Sequence, residues 1–400
     1  MPIEALFITG RFRSGSTLLW NIFRNIPRCC SYYEPCHDLL PTHIRLKSPA
    51  TPGHVGVSSY WDEYLPIYEG LEVFHRPDFG INHLHLEEDS PYADLDKYIR
   101  FLVSSTSDKL PVLQFNRVDF RLPWLRRHFP EAKIIHLFRN PREQWFSIIR
   151  DLPNERRKDP YENTNYELMT WSCSLCATFP FLFGSHIKTS YHRHYLLWKL
   201  SKLMGERLSD LSIDFDDGMI VRPAESIRKM LALAEINDAD VQKLANLVVT
   251  PEKGKWRHLE SEDWFGSAEK ECDALLDQLG LSAKFGLIPL VEICRMNKNA
   301  WDPFFGQASR AAIEEALKLF SRSRNEGLDG RNNAKLAIAD YRERLDYIAE
   351  VCSRTKRSAL LKIFYFPLQE KLNRIADACN PTLPIKKPLW KKLLQRYFQR

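Results

Sequence analysis

A short apolar run, Ala5–Thr9, leads into Gly10-Arg11-Phe12-Arg13-Ser14-Gly15-Ser16-Thr17, and Thr17–Phe23 then places apolar residues at helical spacing. This order predicts a buried strand, a glycine-bearing loop and a helix. The two glycines allow backbone N–H groups to wrap an anion, and the helix start adds the positive end of its dipole. The run nearly fits G-x-x-x-x-G-K-[ST], the loop that cradles nucleoside triphosphates. Ser16 stands where that pattern has lysine, so the charge that reaches the outer phosphates is missing. Arg11 and Arg13, earlier in the loop, supply positive charge instead. The competing interpretation is an ordinary strand–turn–helix with solvated arginines.

The same grammar recurs. Lys133–Phe138 reads as a strand, Arg139-Asn140-Pro141 as a turn and Arg142–Arg150 as a helix. Asn140 suits the cap of that helix and Pro141 its first position. Pro111–Phe115 and Leu211–Phe215 are further strand candidates. Strands alternating with helices imply an α/β fold, a P-loop-like parallel sheet with helices on both faces. Residues 41–95 lack clear periodicity and read as long loops of the kind that shape substrate sites. Past about residue 280 the strand signals fade. Ala311–Phe320 and Ala334–Cys352 have helical spacing around a loop at Asn325–Asn333. The expected division is an α/β domain over 1–280 and a helical C-terminal extension over 281–400.

The run RSGSTLL after a strand resembles the 5′-phosphosulfate loop of sulfotransferases that use 3′-phosphoadenosine-5′-phosphosulfate (PAPS). Cytosolic members carry lysine at the place of Arg13, whereas carbohydrate and tyrosylprotein members carry arginine, as here. Ile134–Ser147, with Arg139 ending a strand and Ser147 eight residues on, resembles the family's 3′-phosphate segment. Arg139, Glu143 and Ser147 are four apart and would share one helix face, so a guanidinium fork and a hydroxyl can meet one phosphate. Glu252-Lys253-Gly254-Lys255-Trp256-Arg257 resembles the K-G-x-x-G-x-W loop that closes over the nucleotide, without its second glycine. An ordinary basic surface loop is the alternative there. The resemblance spans roughly residues 3–280. It implies a nucleotide site made of Arg11, Arg13, Ser14, Gly15, Ser16, Thr17, Arg139, Ser147, Lys253, Gly254, Lys255, Trp256 and Arg257.

Sulfuryl transfer, like phosphoryl transfer, needs cations on the leaving phosphate and a base for the acceptor hydroxyl. Arg13 is the candidate cation. Glu34, in Ser31-Tyr32-Tyr33-Glu34-Pro35, is the candidate base. It should end a second strand, and carbohydrate sulfotransferases carry an E-P pair at a similar offset. The histidine that cytosolic members use has no counterpart in Gln114-Phe115-Asn116-Arg117. His37 is the reserve base. The E-P pair and Arg13 lean toward a saccharide or glycolipid acceptor. Two other functions compete. Leu211–Asp217 can be read as the magnesium strand of a P-loop kinase or NTPase, and a degenerate, non-catalytic nucleotide-binding scaffold is also compatible.

Composition narrows the partners. A net charge of +6 over 400 residues is too mild for a nucleic-acid surface. Nine cysteines, an odd number, read as reduced thiols, and Cys173-x-x-Cys176 as helical packing. The pairs His83/His85 and His192/His194 do not make a metal motif, so PAPS is the expected co-substrate and no metal is expected. The N-terminus lacks the pattern of a signal peptide, and no apolar run is long enough to span a membrane. A cytoplasmic protein is expected. Its tail carries Lys386, Lys387, Lys391, Lys392, Arg396 and Arg400 with no acid after residue 380, and Leu389, Trp390, Leu393, Leu394 and Tyr397 recur at helical spacing. That stripe either packs on the main domain or lies peripherally on an anionic membrane.

Overall fold

The computed structural model describes residues 3–50, 54, 56–80, 83–160, 171–172, 175 and 178–304. The helices expected at 311–320 and 334–352, the basic tail and the Cys173/Cys176 pair lie outside the described residues. The chain divides into two compact units, residues 1–178 with 185–302 and residues 179–184 with those from 303 on. The sheet and the helices around it belong to the first.

Five parallel strands form that sheet: β1 (Leu6–Thr9), β2 (Cys29–Tyr33), β3 (Leu110–Phe115), β4 (Lys133–Phe138) and β5 (Leu211–Asp214), in the order β2-β3-β1-β4-β5. β1 is central and pairs Leu6 with Val112 on one side and with Lys133 on the other. Its four residues are all buried, as expected when helices cover both faces. Leu6 and Ile8 enter a core with Leu19, Ile22 and Phe23 from helix α1 (Ser16–Arg24) and with Val112, Ile135, Leu137 and Ile213 from the other strands. Phe7 lies on the opposite face, edge-on to Phe115 and Phe129 with ring centres 5.7 and 5.5 Å away.

Strand order reverses at β1. Its neighbours β3 and β4 carry the chain away on opposite sides, which opens a crevice at the carboxyl ends of the strands. The glycine loop follows β1 there. The ends of β2, β3 and β4 deliver Glu34, Asn116 and Arg139 to the same edge.

Two readings change in detail. Residues 41–95 hold short helical pieces at Leu40–Leu46, Asp62–Ile67, Tyr68–Phe74 and Pro77–Gly80, and the helix Ala93–Ser104 begins at their end. Each early piece is seven residues or fewer and buries one or two apolar side chains, such as Ile44, Tyr64 and Leu71. That is too short for a 3.6-residue period to show in sequence. The helix after β4 runs Pro141–Ile149, with the Asn140 side chain accepting a hydrogen bond from Arg142 N at 2.9 Å. Arg139 therefore precedes the helix instead of sharing its face with Glu143 and Ser147. Beyond residue 280 the described chain is helical, at Leu281–Lys284, Leu290–Met296 and again from 298 to 304. Among the described residues no helix is long and apolar enough to cross a membrane.

Candidate active site

The glycine loop has little freedom. A Cβ on Gly10 would lie 2.5 Å from the Leu137 carbonyl, so β4 admits nothing larger beside it. Gly15 has φ of +99°, and its Cβ would sit 2.3 Å from the Phe215 ring. Only glycine combines that backbone with that contact. α1 starts at the next residue, so its N-terminal amides face the loop.

A cleft of about 500 Å³ opens above the loop. Arg13, Gly15, Ser16, Thr17, Glu34, Asn116, Arg117 and Arg139 line it. Arg13 and Glu34, from different loops, are both non-glycine residues with positive φ, at 66° and 44°. Left-handed backbone of this kind costs on the order of 1–3 kcal/mol each, and such strain clusters at functional sites.

Glu34 is nearly buried, its side chain 9% exposed. Its Oε1 accepts from Asn116 Nδ2 at 2.5 Å and its Oε2 from Arg117 at 2.9 Å. Asn116 Oδ1 in turn accepts from Ser16 Oγ at 2.9 Å and Gln114 Nε2 at 3.0 Å. A continuous hydrogen-bonded chain thus runs from the glycine loop to the carboxylate. Asn116 cannot reverse its amide without losing three bonds, so it fixes which way Glu34 faces.

Arg13 reaches across to α6 (Pro141–Ile149), donating from Nε to Ser147 Oγ at 2.7 Å. Thr17 Oγ1 and Tyr33 Oη are 3.1 Å apart. Burial, then the Glu34 charge, raises the Tyr33 phenol well above its ordinary value, so it stays protonated. Tyr33 stacks on Tyr60 with ring centres 4.4 Å apart, and Trp61 lies parallel to His43 at 5.4 Å. These rings also line the cleft.

His37 also lines the cleft. Burial and then the Arg117 charge push its pKa down to about 4. The Nδ1 of this neutral ring accepts from Leu39 N at 3.1 Å, so the proton sits on Nε2. With Nδ1 already accepting a hydrogen bond and Nε2 protonated, His37 is a poor base.

Residues 5–176 match the model of the sulfotransferase family. That match supports a sulfotransferase, and sulfuryl transfer generally, for the part of the chain that holds the glycine loop, Glu34, Arg117, Arg139 and Ser147. No curated protein matches the chain.

Apart from Ser147, which Arg13 holds, the residues expected from sequence divide three ways. Arg13, Gly15, Ser16, Thr17, Glu34 and Arg139 share the cleft. Arg11 does not line it. Its guanidinium is buried 3.9 Å from Asp119 and 4.8 Å over the Trp171 ring, and burial lowers its pKa to about 10. Asp119 also accepts from Thr9 and Ser201, at 2.7 and 2.9 Å, so Arg11 belongs to a network beneath the loop. Ser14 Oγ, fully shielded and without a hydrogen bond, lies beneath the loop as well.

The 252–257 loop takes a third position. Lys253, Gly254, Trp256 and Arg257 line a second pocket of about 430 Å³, which shares Arg139 with the cleft. Gly254 has φ of +79° and donates from its N to Glu143 Oε1 at 2.6 Å, tying the loop to α6. Trp256 is buried under the Arg142 and Arg257 guanidinium groups at 5.0 and 4.5 Å. Lys255 pairs with Glu252 at 2.8 Å.

Asp214, the residue that suggested a magnesium strand, accepts from Asp216 N and Asp217 N at 2.8 and 3.1 Å. Its carboxylate caps the next turn. Among the described residues no group of three or more His, Cys, Asp or Glu side chains is arranged to hold a metal ion. Asn116 and Arg117, which orient Glu34, were not picked out from sequence as site residues. Their local signal was only a polar pair ending a buried strand.

Proposed function

We propose that the protein transfers a sulfuryl group from PAPS to a hydroxyl of a saccharide or glycoconjugate. One observation carries this reading: Arg13, the α1 N-terminus and a hydrogen-bonded Glu34 face one cleft. When bound, PAPS supplies the sulfuryl group and a phosphate leaving group. A cleft of this volume falls within the range of small-molecule sites. The loop geometry is compatible with an anion on its amides, because α1 begins at Ser16, directly after the left-handed Gly15.

In this reading Gly15, Ser16 and Thr17 hold the 5′ end through backbone N–H groups and hydroxyls, with Ser14 and Arg11 supporting the loop from below. Arg13 neutralises charge as it builds on the phosphate oxygen when the S–O bond to it breaks. Glu34 Oε accepts the acceptor's proton as its oxygen bonds to sulfur. Arg117 and Asn116 hold the carboxylate for that step. Arg139 and Ser147 serve the 3′-phosphate, with Lys253, Gly254, Lys255, Trp256 and Arg257 closing beside it. The aromatic lining of Tyr33, Tyr60 and Trp61 suits the apolar side of a sugar ring.

Calorimetry tests the donor site. Arg139→Ala removes a charge-assisted contact of about 1.5–3 kcal/mol, so affinity for adenosine 3′,5′-bisphosphate should fall by about 10- to 150-fold. Magnesium-ATP should bind the wild type far more weakly than PAPS. Unchanged affinity in the variant, or preference for magnesium-ATP, would overturn the reading.

A further inference from the structure

Arg139 already has an anion beside it. Its Nε lies 3.5 Å from Asp216 Oδ1, with both side chains nearly buried, 12% and 13% exposed. Neither of those two atoms touches solvent and neither has a hydrogen bond. The pair is close enough for strong attraction and too long for a good hydrogen bond. The Arg139 guanidinium is also stacked 5.1 Å over the Phe215 ring, and the Arg139 carbonyl accepts from Trp198 Nε1 at 2.8 Å.

Asp216 has further links. Its Oδ2 accepts from Asn140 N, at the cap of α6, at 3.1 Å. Its carbonyl accepts from Lys253 Nζ at 3.3 Å, and its Oδ1 lies 3.9 Å from the same ammonium. One carboxylate therefore faces two cations and one helix-start amide. These are the groups a phosphate dianion would recruit.

We infer that Asp216 is an anionic stand-in for the 3′-phosphate. It holds Arg139 and Lys253 in readiness and competes with the nucleotide for them. The inference rests on the donor reading above, in which Arg139 meets that phosphate. Asp216 is a positioning residue and touches no reacting atom. Its carboxylate stands slightly too far from both cations to hydrogen-bond them, so exchange for a better acceptor costs little. It also trims the affinity that the 3′-phosphate adds, because that phosphate must displace the carboxylate, a cost that a ligand lacking the group does not meet.

The test is calorimetry on the full chain with adenosine 3′,5′-bisphosphate and with adenosine 5′-monophosphate. Asp216→Asn keeps an oxygen for Asn140 N and removes the charge. It should tighten the bisphosphate about five- to tenfold and change the monophosphate by less than about twofold, because the coupling acts through one phosphate. The gain should vanish when Arg139→Ala is added. Asp216→Ser should shift the ratio of the two affinities the same way. Equal or weaker bisphosphate binding in both Asp216 variants would overturn the stand-in role while leaving the donor site in place. A wild type that binds both nucleotides equally, with no response to Arg139→Ala, would remove the donor reading and this inference together.

Discussion

Glu34→Gln is expected to lower turnover by about 10²–10⁴-fold, the usual contribution of a positioned general base. Nucleotide affinity should stay close to that of the wild type, because the carboxylate lies on the far side of the Ser16–Asn116 bond from the loop. The substitution has a structural cost as well. Glutamine can offer its oxygen to Arg117 or to Asn116, but its amide then meets a donor on the other side. Asn116 cannot relieve the clash by reversing, since Ser16 and Gln114 hold its oxygen. It also leaves the buried Arg117 without its nearest carboxylate, so the melting temperature should fall. Measuring nucleotide binding beside turnover separates the two effects. Wild-type turnover would remove Glu34 as the base, and His37 would then need a proton-free Nε2, opposite to its present tautomer.

Arg13→Ala should cost about 10²–10³-fold in kcat, the typical loss when one preorganised donor is withdrawn from developing negative charge. The backbone should hardly resist, since alanine accepts the left-handed φ no worse than arginine does. Arg13→Lys restores the charge but not the Nε bond to Ser147 at 2.7 Å. It should recover part of the rate, because a lysine is a point charge and lacks the planar fork. Steady-state kinetics at saturating donor give the answer. If Arg13→Ala raised the KM for the donor and left kcat unchanged, Arg13 would serve binding equally in the ground and transition states.

Much of the scaffold was legible in the sequence, for physical reasons. Strands buried on both faces write nearly continuous apolar runs, so β1, β3 and β4 stand out. Gly15 and Asn140 are required by local backbone geometry, which sequence reports directly. The direction of a side chain is not local. Arg11 and Arg13 look alike in the loop, yet one turns inward to Asp119 and the other reaches Ser147, 134 residues along the chain. Arg117 and Asn116 pair with Glu34 across more than eighty residues, and nothing in their own segment announces it. The pieces between residues 40 and 80 are too short to show a period, although His43, Tyr60 and Trp61 from that stretch wall the cleft. Asp216 was visible only as part of an acidic run, and its place beside Arg139 depends on β4 and β5 being neighbours.

The most direct measurement is sulfate transfer itself. The purified full chain is incubated with PAPS and a panel of neutral and anionic glycans and glycolipids, and products are read by mass spectrometry. The expected result is a sulfate-sized mass gain on at least one saccharide hydroxyl, dependent on PAPS, unaffected by chelators and lost with Glu34→Gln. Transfer of phosphate from magnesium-ATP to the same acceptors, with no sulfate gain from PAPS, would contradict it.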